Sequence, residues 1–348
     1  MITPSKETGT LRQSVDGQGA NARALGVLGS TALIIYSMLP AFWTVTKLPP
    51  RFPTEELLSA SVSGYTQSNY IWGIPVLFMG AYLMMCHLPS MSSERKSALW
   101  DCLVKLPILG FVLDLVSAER FFTFVNTTAV GDVTVPAFDV DTGRFSGSFP
   151  VEELIFYILG FAFVILAYVL ASERFLRAYH LECHPGRTIH WNRDAVRGLG
   201  VALLFVLVGS FTKYHMTGSW SLPEYLTFLS FASVGLIAFL WNAAAPFVNW
   251  QALALVSAVV LCISIVWEVT LAGPYQWWGY HDRGLMGVRI SAWYGLPLEA
   301  VLVWFLVTPT CAFTYEALTS VQFASKPSQT ARTSGKAFTL CQKAAPSA

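Results

Sequence analysis

The sequence predicts an all-α integral membrane protein of about eight transmembrane helices, built as two parallel repeats of four. Three observations predict it: composition, the spacing of apolar runs, and the distribution of basic residues. Of the 348 residues, 54% are hydrophobic and 12% charged. A soluble domain carries about 25% charged residues, so this chain is too poor in charge to solvate an ordinary surface. Aromatic residues make up 14%, with 12 Trp, which fits membrane interfaces or an aromatic-lined cavity. The net charge of +1 gives no sign of a nucleic-acid partner.

Residues 1–23 form a polar N-terminal segment with no evident cleavable signal peptide. Crossing a bilayer takes about 20 apolar residues. The first repeat, residues 24–171, supplies four such runs at 24–46, 70–86, 98–117 and 150–171. Pro75 interrupts the second run, and Lys105, Pro107 and Asp114 lie in the third. A polar loop, 172–194, leads into the second repeat, 195–318, with runs at 195–212, 224–241, 250–270 and 294–318. Residues 319–348, rich in Ser, Thr, Lys and Ala, are expected to be a disordered tail.

Eight spans make the loops alternate between two sides. Lys105 lies inside a span, and its expected role is to snorkel or to pair with an acid. Seven of the other Lys and Arg residues (Lys47, Arg51, Arg120, Arg144, Lys213, Arg283 and Arg289) fall on one side and fourteen on the other. The richer side, which holds both termini, is expected to be cytoplasmic. In a eukaryote the membrane expected is the endoplasmic reticulum. The opposite side carries Asn126-Thr127-Thr128, a glycosylation sequon. Lys213 and His215 sit at a helix end and call for no special role. The six cysteines are scattered without a CxxC pair, and His180, Cys183, His184 and His190 fit no standard zinc spacing. No metal is implied.

The most informative feature is the repeat. Phe149-Pro150-Val151-Glu152-Glu153-Leu154-Ile155-Phe156-Tyr157 opens the fourth span, and Leu296-Pro297-Leu298-Glu299-Ala300-Val301-Leu302-Val303-Trp304 opens the eighth. Each follows a long loop, and each loop follows a helix carrying an acid: Asp114 in one copy, Trp267-Glu268 in the other. Four spans apart, the copies share one orientation, so both acidic clusters reach the same membrane face. Paired halves of this kind build one central site between them.

Proline suits the first helical turn, where its missing N–H costs nothing. A glutamate two residues on meets unpaired N–H groups and the positive end of the helix dipole, which favour its anion. Burial and a second carboxylate favour the protonated acid instead. An acid in this position can therefore be tuned as a proton donor. Acidic residues within spans are costly and point to function. Pro followed by Glu is also an ordinary helix start. The loop before the eighth span adds Tyr275-Gln276-Trp277-Trp278-Gly279-Tyr280-His281-Asp282. Its aromatic faces suit either a cation or an interfacial belt.

This order of acid-ended helix, aromatic loop, Pro-x-Glu-Glu and apolar helix resembles the membrane lycopene cyclase domain. That domain occurs as paired bacterial subunits, single archaeal chains and the cyclase half of fungal bifunctional carotenoid enzymes. The second copy carries the fuller match, through Trp267-Glu268, Gly279-Tyr280, Gly287-Val288-Arg289-Ile290, Leu296-Pro297-Leu298-Glu299 and residues Thr308 to Glu316. The first copy matches through Asp114 and Pro150-Val151-Glu152-Glu153. Ala300 stands where the family pattern has a second Glu, and Leu113-Asp114 where it has Trp-Asp. The chain also resembles the fungal membrane-bound terpene cyclases of meroterpenoid pathways.

The resemblance implies a redox-neutral cyclisation of a prenyl or epoxyprenyl chain, in which an acid protonates an alkene or epoxide and a carbocation closes the ring. Glu152 or Glu299 would be the acid, with Glu153, Asp114 and Glu268 tuning it or acting as base. Phe156, Tyr157, Trp267, Trp277, Trp278 and Tyr280 would shield the cation. The expected partners are a hydrophobic prenylated substrate and membrane lipid. No GxGxxG fingerprint occurs between a strand and a helix, and no cofactor is expected. The alternatives are a lycopene β-cyclase and a proton-coupled secondary transporter, whose acids would sit at broken helices near the bilayer midplane.

Overall fold

A computed structural model describes residues 70–123, 133–139, 142–179, 189–269, 278–293 and 295–325. The expected first span, the sequon at Asn126, the histidine-bearing stretch 180–188, Trp277 and the tail beyond 325 lie outside these residues.

Among the described residues seven helical rods follow in chain order: α1 (Tyr70–Cys86), α2 (Ser93–Phe121), α3 (Val151–Phe175), α4 (Trp191–Thr217), α5 (Glu224–Ala244), α6 (Trp250–Trp267) and α7 (Leu298–Ser325). Five of them, α3 to α7, contain stretches long and apolar enough to cross a bilayer, and α1 is a shorter apolar helix. The protein is embedded in a membrane through these helices. Short strands decorate the loops at one end: β1 (Phe122–Thr123), β2 (Thr134–Asp139), β3 (Arg144–Pro150), β4 (Gly279–Tyr280), β5 (Arg289–Ile290) and β6 (Leu296–Pro297). They pair antiparallel as β1–β4, β2–β3 and β5–β6.

The outer surface needs lipid as its solvent. On α4, Val196, Leu199, Leu203, Leu207 and Phe211 are all more than half exposed. On α2, the exposed residues Trp100, Val104, Ile108, Val112 and Val116 recur every fourth position and form one stripe. Helix α2 carries this stripe despite its charges because the charges are handled locally. Lys105 pairs with Asp101 at 2.9 Å, one turn away, and Gln322 Nε2 donates to Asp101 Oδ2 at 3.0 Å.

Helix ends depart from the apolar runs where polar first turns hide them. Helix α4 begins at Trp191 rather than 195, because buried Asp194 accepts the His190 backbone N–H at 3.0 Å and the Asn242 side-chain N–H at 3.0 Å. Helix α7 begins at Leu298 rather than 294, because Leu296–Pro297 is held as a strand against Arg289–Ile290. It then runs to Ser325, past the expected end at 318. Lys213 is buried, and its Nζ donates to the carbonyls of Leu222 at 3.1 Å and Arg283 at 2.5 Å. It therefore ties two loops to the end of α4, a role the sequence did not suggest.

Helix α7 is central and packs against α2, α3, α5 and α6. The core it shares with α3 includes Val164, Ile165, Tyr168, Phe313 and Tyr315. Helix α4 instead meets α5 through small residues, Gly198, Ala202 and Gly235, which let two backbones approach as membrane helices often do. A Cβ placed on Gly198 would lie 2.7 Å from the Gly235 carbonyl oxygen, whereas one on neighbouring Gly200 meets nothing within 4 Å.

Gly198→Ala is therefore expected to destabilise the folded protein by about 1–3 kcal/mol through overpacking. Gly200→Ala is expected to be neutral or slightly stabilising. Thermal unfolding of both variants in detergent micelles compares them directly.

Candidate active site

Two helix starts are built alike. Strands β3 and β6 both end on proline, Pro150 opposite Thr134 and Pro297 opposite Arg289. The next backbone N–H bonds back across the hairpin in each case: Val151 to the Val133 carbonyl at 3.1 Å, and Leu298 to the Val288 carbonyl at 3.0 Å. Pro150 occupies the N-cap of α3 with extended backbone, so the chain turns directly into the helix without a side-chain cap. Glu152 and Glu153 fall in the first turn of α3, and Glu299 in that of α7.

Glu268 caps the C-terminal end of α6 and is 3% exposed. Three side chains point N–H or O–H donors at it. Trp278 Nε1 donates to Oε2 at 3.2 Å, Tyr280 Oη to Oε1 at 3.1 Å, and Trp304 Nε1 to Oε1 at 3.2 Å. These donors come from the aromatic loop and from α7, so one carboxyl group ties both of them to the end of α6. Such partners offset the cost of burying a carboxyl group.

Glu268 and Glu153 line one cavity of about 110 Å³. The face of α3 that borders it carries Glu153, Phe156, Tyr157, Gly160, Phe161 and Val164, the i, i+3, i+4, i+7 pattern of one helical side. Helix α7 contributes Val303, Trp304 and Val307. From Glu153 to Val164 the α3 axis runs about 16 Å, so the acids stand at one end of a deep, otherwise apolar space. Aromatic rings wall it closely. Phe156 lies 6.4 Å from Trp278 and 5.9 Å from Trp304, edge-on to the latter.

The strand pair β1–β4 closes the acid end. Phe122 sits opposite Tyr280 in register, with ring centroids 5.4 Å apart, and Tyr225 packs 5.4 Å from Phe122 and 6.2 Å from Tyr280. All three rings line the cavity. Arg120, at the end of α2, grips Glu224 at the start of α5 through two bonds of 2.5 and 2.8 Å.

The structure brings together Glu153, Glu268, Phe156, Tyr157, Trp278 and Tyr280 from the residues expected on sequence grounds. Trp267 is buried one layer away, 6.2 Å from Phe156, and lines a smaller adjoining space with Trp304. Glu152 and Glu299 are buried but do not border the acid cavity. Both Glu152 oxygens lack a hydrogen-bond partner among the described residues. Glu299 Oε1 accepts the Met286 backbone N–H, which ties the aromatic loop to α7. Asp114 falls within α2, and its side chain lies outside the described part.

Trp304, Phe122, Tyr225 and Phe161 were missed. The repeat itself held the signal for Trp304, which occupies the position of Tyr157 in the second copy.

No protein-family model matches this sequence, no curated protein matches it, and no solved structure matches its fold.

Trp304→Phe keeps the ring against Phe156 and removes one donor to Glu268. It is expected to cost about 1–3 kcal/mol of stability, the range for a buried polar group that loses a partner. Glu268→Gln in the same background should recover part of that loss if the carboxyl group is what the indole serves. A double-mutant cycle of unfolding midpoints measures the coupling.

Proposed function

We propose that this protein is an integral-membrane terpene cyclase that closes rings on a prenyl or epoxyprenyl chain without net redox change. The observation that carries this reading is one cavity that presents Glu153 and Glu268 at its end and aromatic faces along its walls. Protonation of an apolar chain needs an acid in a dry site, and the resulting cation needs negative aromatic faces and no water.

In this reading Glu268 donates a proton to a terminal alkene carbon or an epoxide oxygen. The three donors on its oxygens stabilise the carboxylate as it forms, an arrangement already in place before reaction. The carbocation is attacked by an internal alkene, and a C–C bond forms at the expense of that π bond. Loss of a proton from the neighbouring carbon to Glu153 regenerates a double bond. A proton passed back between the acids, directly or through solvent, completes the cycle with no atom gained or lost. Phe156, Tyr157, Trp278 and Tyr280 would face the cation.

The wider architecture belongs to the same proposal: eight spans in two parallel repeats, with the described α2–β1 and β2–β3–Pro150–α3 matched by α6–β4 and β5–β6–Pro297–α7. The reacting acids would then come one from each half, Glu153 from the first and Glu268 from the second. Both termini would be cytoplasmic, and in a eukaryote the membrane would be the endoplasmic reticulum. The acids stand at helix ends near one face, which favours a cyclase over a carrier with a midplane site.

Membranes containing the protein are expected to convert an epoxidised farnesyl-aryl compound to a product of unchanged mass and altered retention, with no redox cofactor added. Lycopene serves as the second substrate, and its conversion instead would make this a carotenoid cyclase. Glu268→Gln and Glu153→Gln should each lower turnover by about 10²-fold or more, with the protein still folded. Full activity in Glu268→Gln would remove the assignment. In D₂O, a chain opened by alkene protonation should gain one carbon-bound deuterium, and one opened at an epoxide should gain none at the opening step.

A further inference from the structure

A second chamber of about 100 Å³ adjoins the acid cavity and shares Phe122, Tyr157, Phe161 and Tyr225 with it. Its outer walls are α2 and α5, through Gly110 and Ser117 on one side and Ala232 and Ser233 on the other. Leu109 lines the chamber and is also nearly half exposed, so the chamber wall reaches the outer surface of the helices at this point.

Three features make this a built space. First, α5 loses its regular turn here. Residues Ser230–Gly235 form a π-helical turn, a feature common at functional sites, and it carries Ala232 and Ser233 into the wall. Second, the wall is thinned at Gly110. A Cβ on Gly110 would lie 2.7 Å from the Phe161 ring and 3.3 Å from Tyr157, so only glycine lets those two rings stand between the chambers. Third, two of its hydroxyls are turned inward to their own helices. Ser117 Oγ donates to the Leu113 carbonyl at 2.5 Å, and Thr310 Oγ1 to the Leu306 carbonyl at 2.8 Å. What those positions offer a guest is hydrocarbon.

We infer that this chamber is the subsite for the unreacted hydrocarbon of a linear isoprenoid, and that the substrate enters through it sideways from the bilayer. The inference rests on the cyclase reading for the identity of the guest. The reacting end would pass Tyr157 and Phe161 to reach Glu268 while the rest of the chain stays between α2 and α5. Residues 110, 232 and 233 would then set the chain length accepted.

The test uses the full-length protein in nanodiscs and a farnesyl alcohol bearing a diazirine. Photolabelling should fall on peptides covering Leu106–Ser117 and Leu229–Leu236. Ala232→Phe should cut that labelling by about tenfold, the scale on which a pocket rejects added bulk. Leu109→Phe at the mouth should act likewise, and covers the case in which Ala232→Phe fails to fold. Labelling that ignores both variants, or that falls on other helices, overturns the proposal. So does equal labelling by a diazirine phospholipid that excess farnesol does not displace, since the chamber would then be a lipid site. Glu268→Gln should label as the parent protein does. The labelling therefore decides the chamber whether or not any substrate turns over, and turnover alone decides the cyclase reading.

Discussion

A carboxyl group buried among apolar side chains is costly without partners, and the loop and helix ends around Glu268 are arranged to supply them. Glu268 takes donors from Trp278, Tyr280 and Trp304, which belong to the aromatic loop and to the central helix α7. To deliver them, the loop must lie over the helix ends. The β1–β4 pair, the Lys213 clasp on Arg283, and the Met286 N–H bound to Glu299 hold it there. Each of these ties is polar and sits where apolar burial alone could not fix a position. In hydrocarbon, helices gain little from hiding apolar surface against one another, so polar ties and close small-residue packing carry more of the specificity.

The same logic explains why two superficially similar acids play different parts. Glu152 and Glu153 are adjacent, and successive helical residues point about 100° apart. Glu153 shares its side of α3 with Phe156, Tyr157 and Gly160 and borders the cavity. Glu152 points away from that wall. Glu299, the counterpart of Glu152, also stands off the cavity and accepts a backbone N–H instead. Ala300, the counterpart of Glu153, is fully buried. The two helix ends thus contribute unequal chemistry: Glu153 from the start of α3, and a triply bound Glu268 from the end of α6.

Much of this was legible in the sequence. Apolar run length placed α1 at 70–86 and brought the other described helices within seven residues of their observed ends, because lipid selects for length and hydropathy directly. The repeat marked Pro150 and Pro297 as helix starts, and the aromatic motif marked Trp278 and Tyr280. What remained hidden was of two kinds. Strands of two residues, such as β1 and β4, show no alternation that a pattern could reveal, yet their pairing is what puts Phe122 beside Tyr280. The facing of side chains was also hidden, since it depends on how α3 is turned against α7. An i, i+3, i+4 reading from Glu153 through Phe156 and Tyr157 would have singled out that acid over its neighbour.

The central claim is that Glu153 and Glu268 face the reacting carbon chain in one cavity. Covalent trapping tests it most directly. A prenyl epoxide activated to alkylate carboxylates would be incubated with the membrane-embedded protein, and the ester located by peptide mass spectrometry. The account predicts an ester on Glu268 or Glu153, suppressed by an unreactive prenyl competitor. An ester confined to Glu152, Glu299 or a surface acid, or one that the competitor leaves untouched, would contradict it.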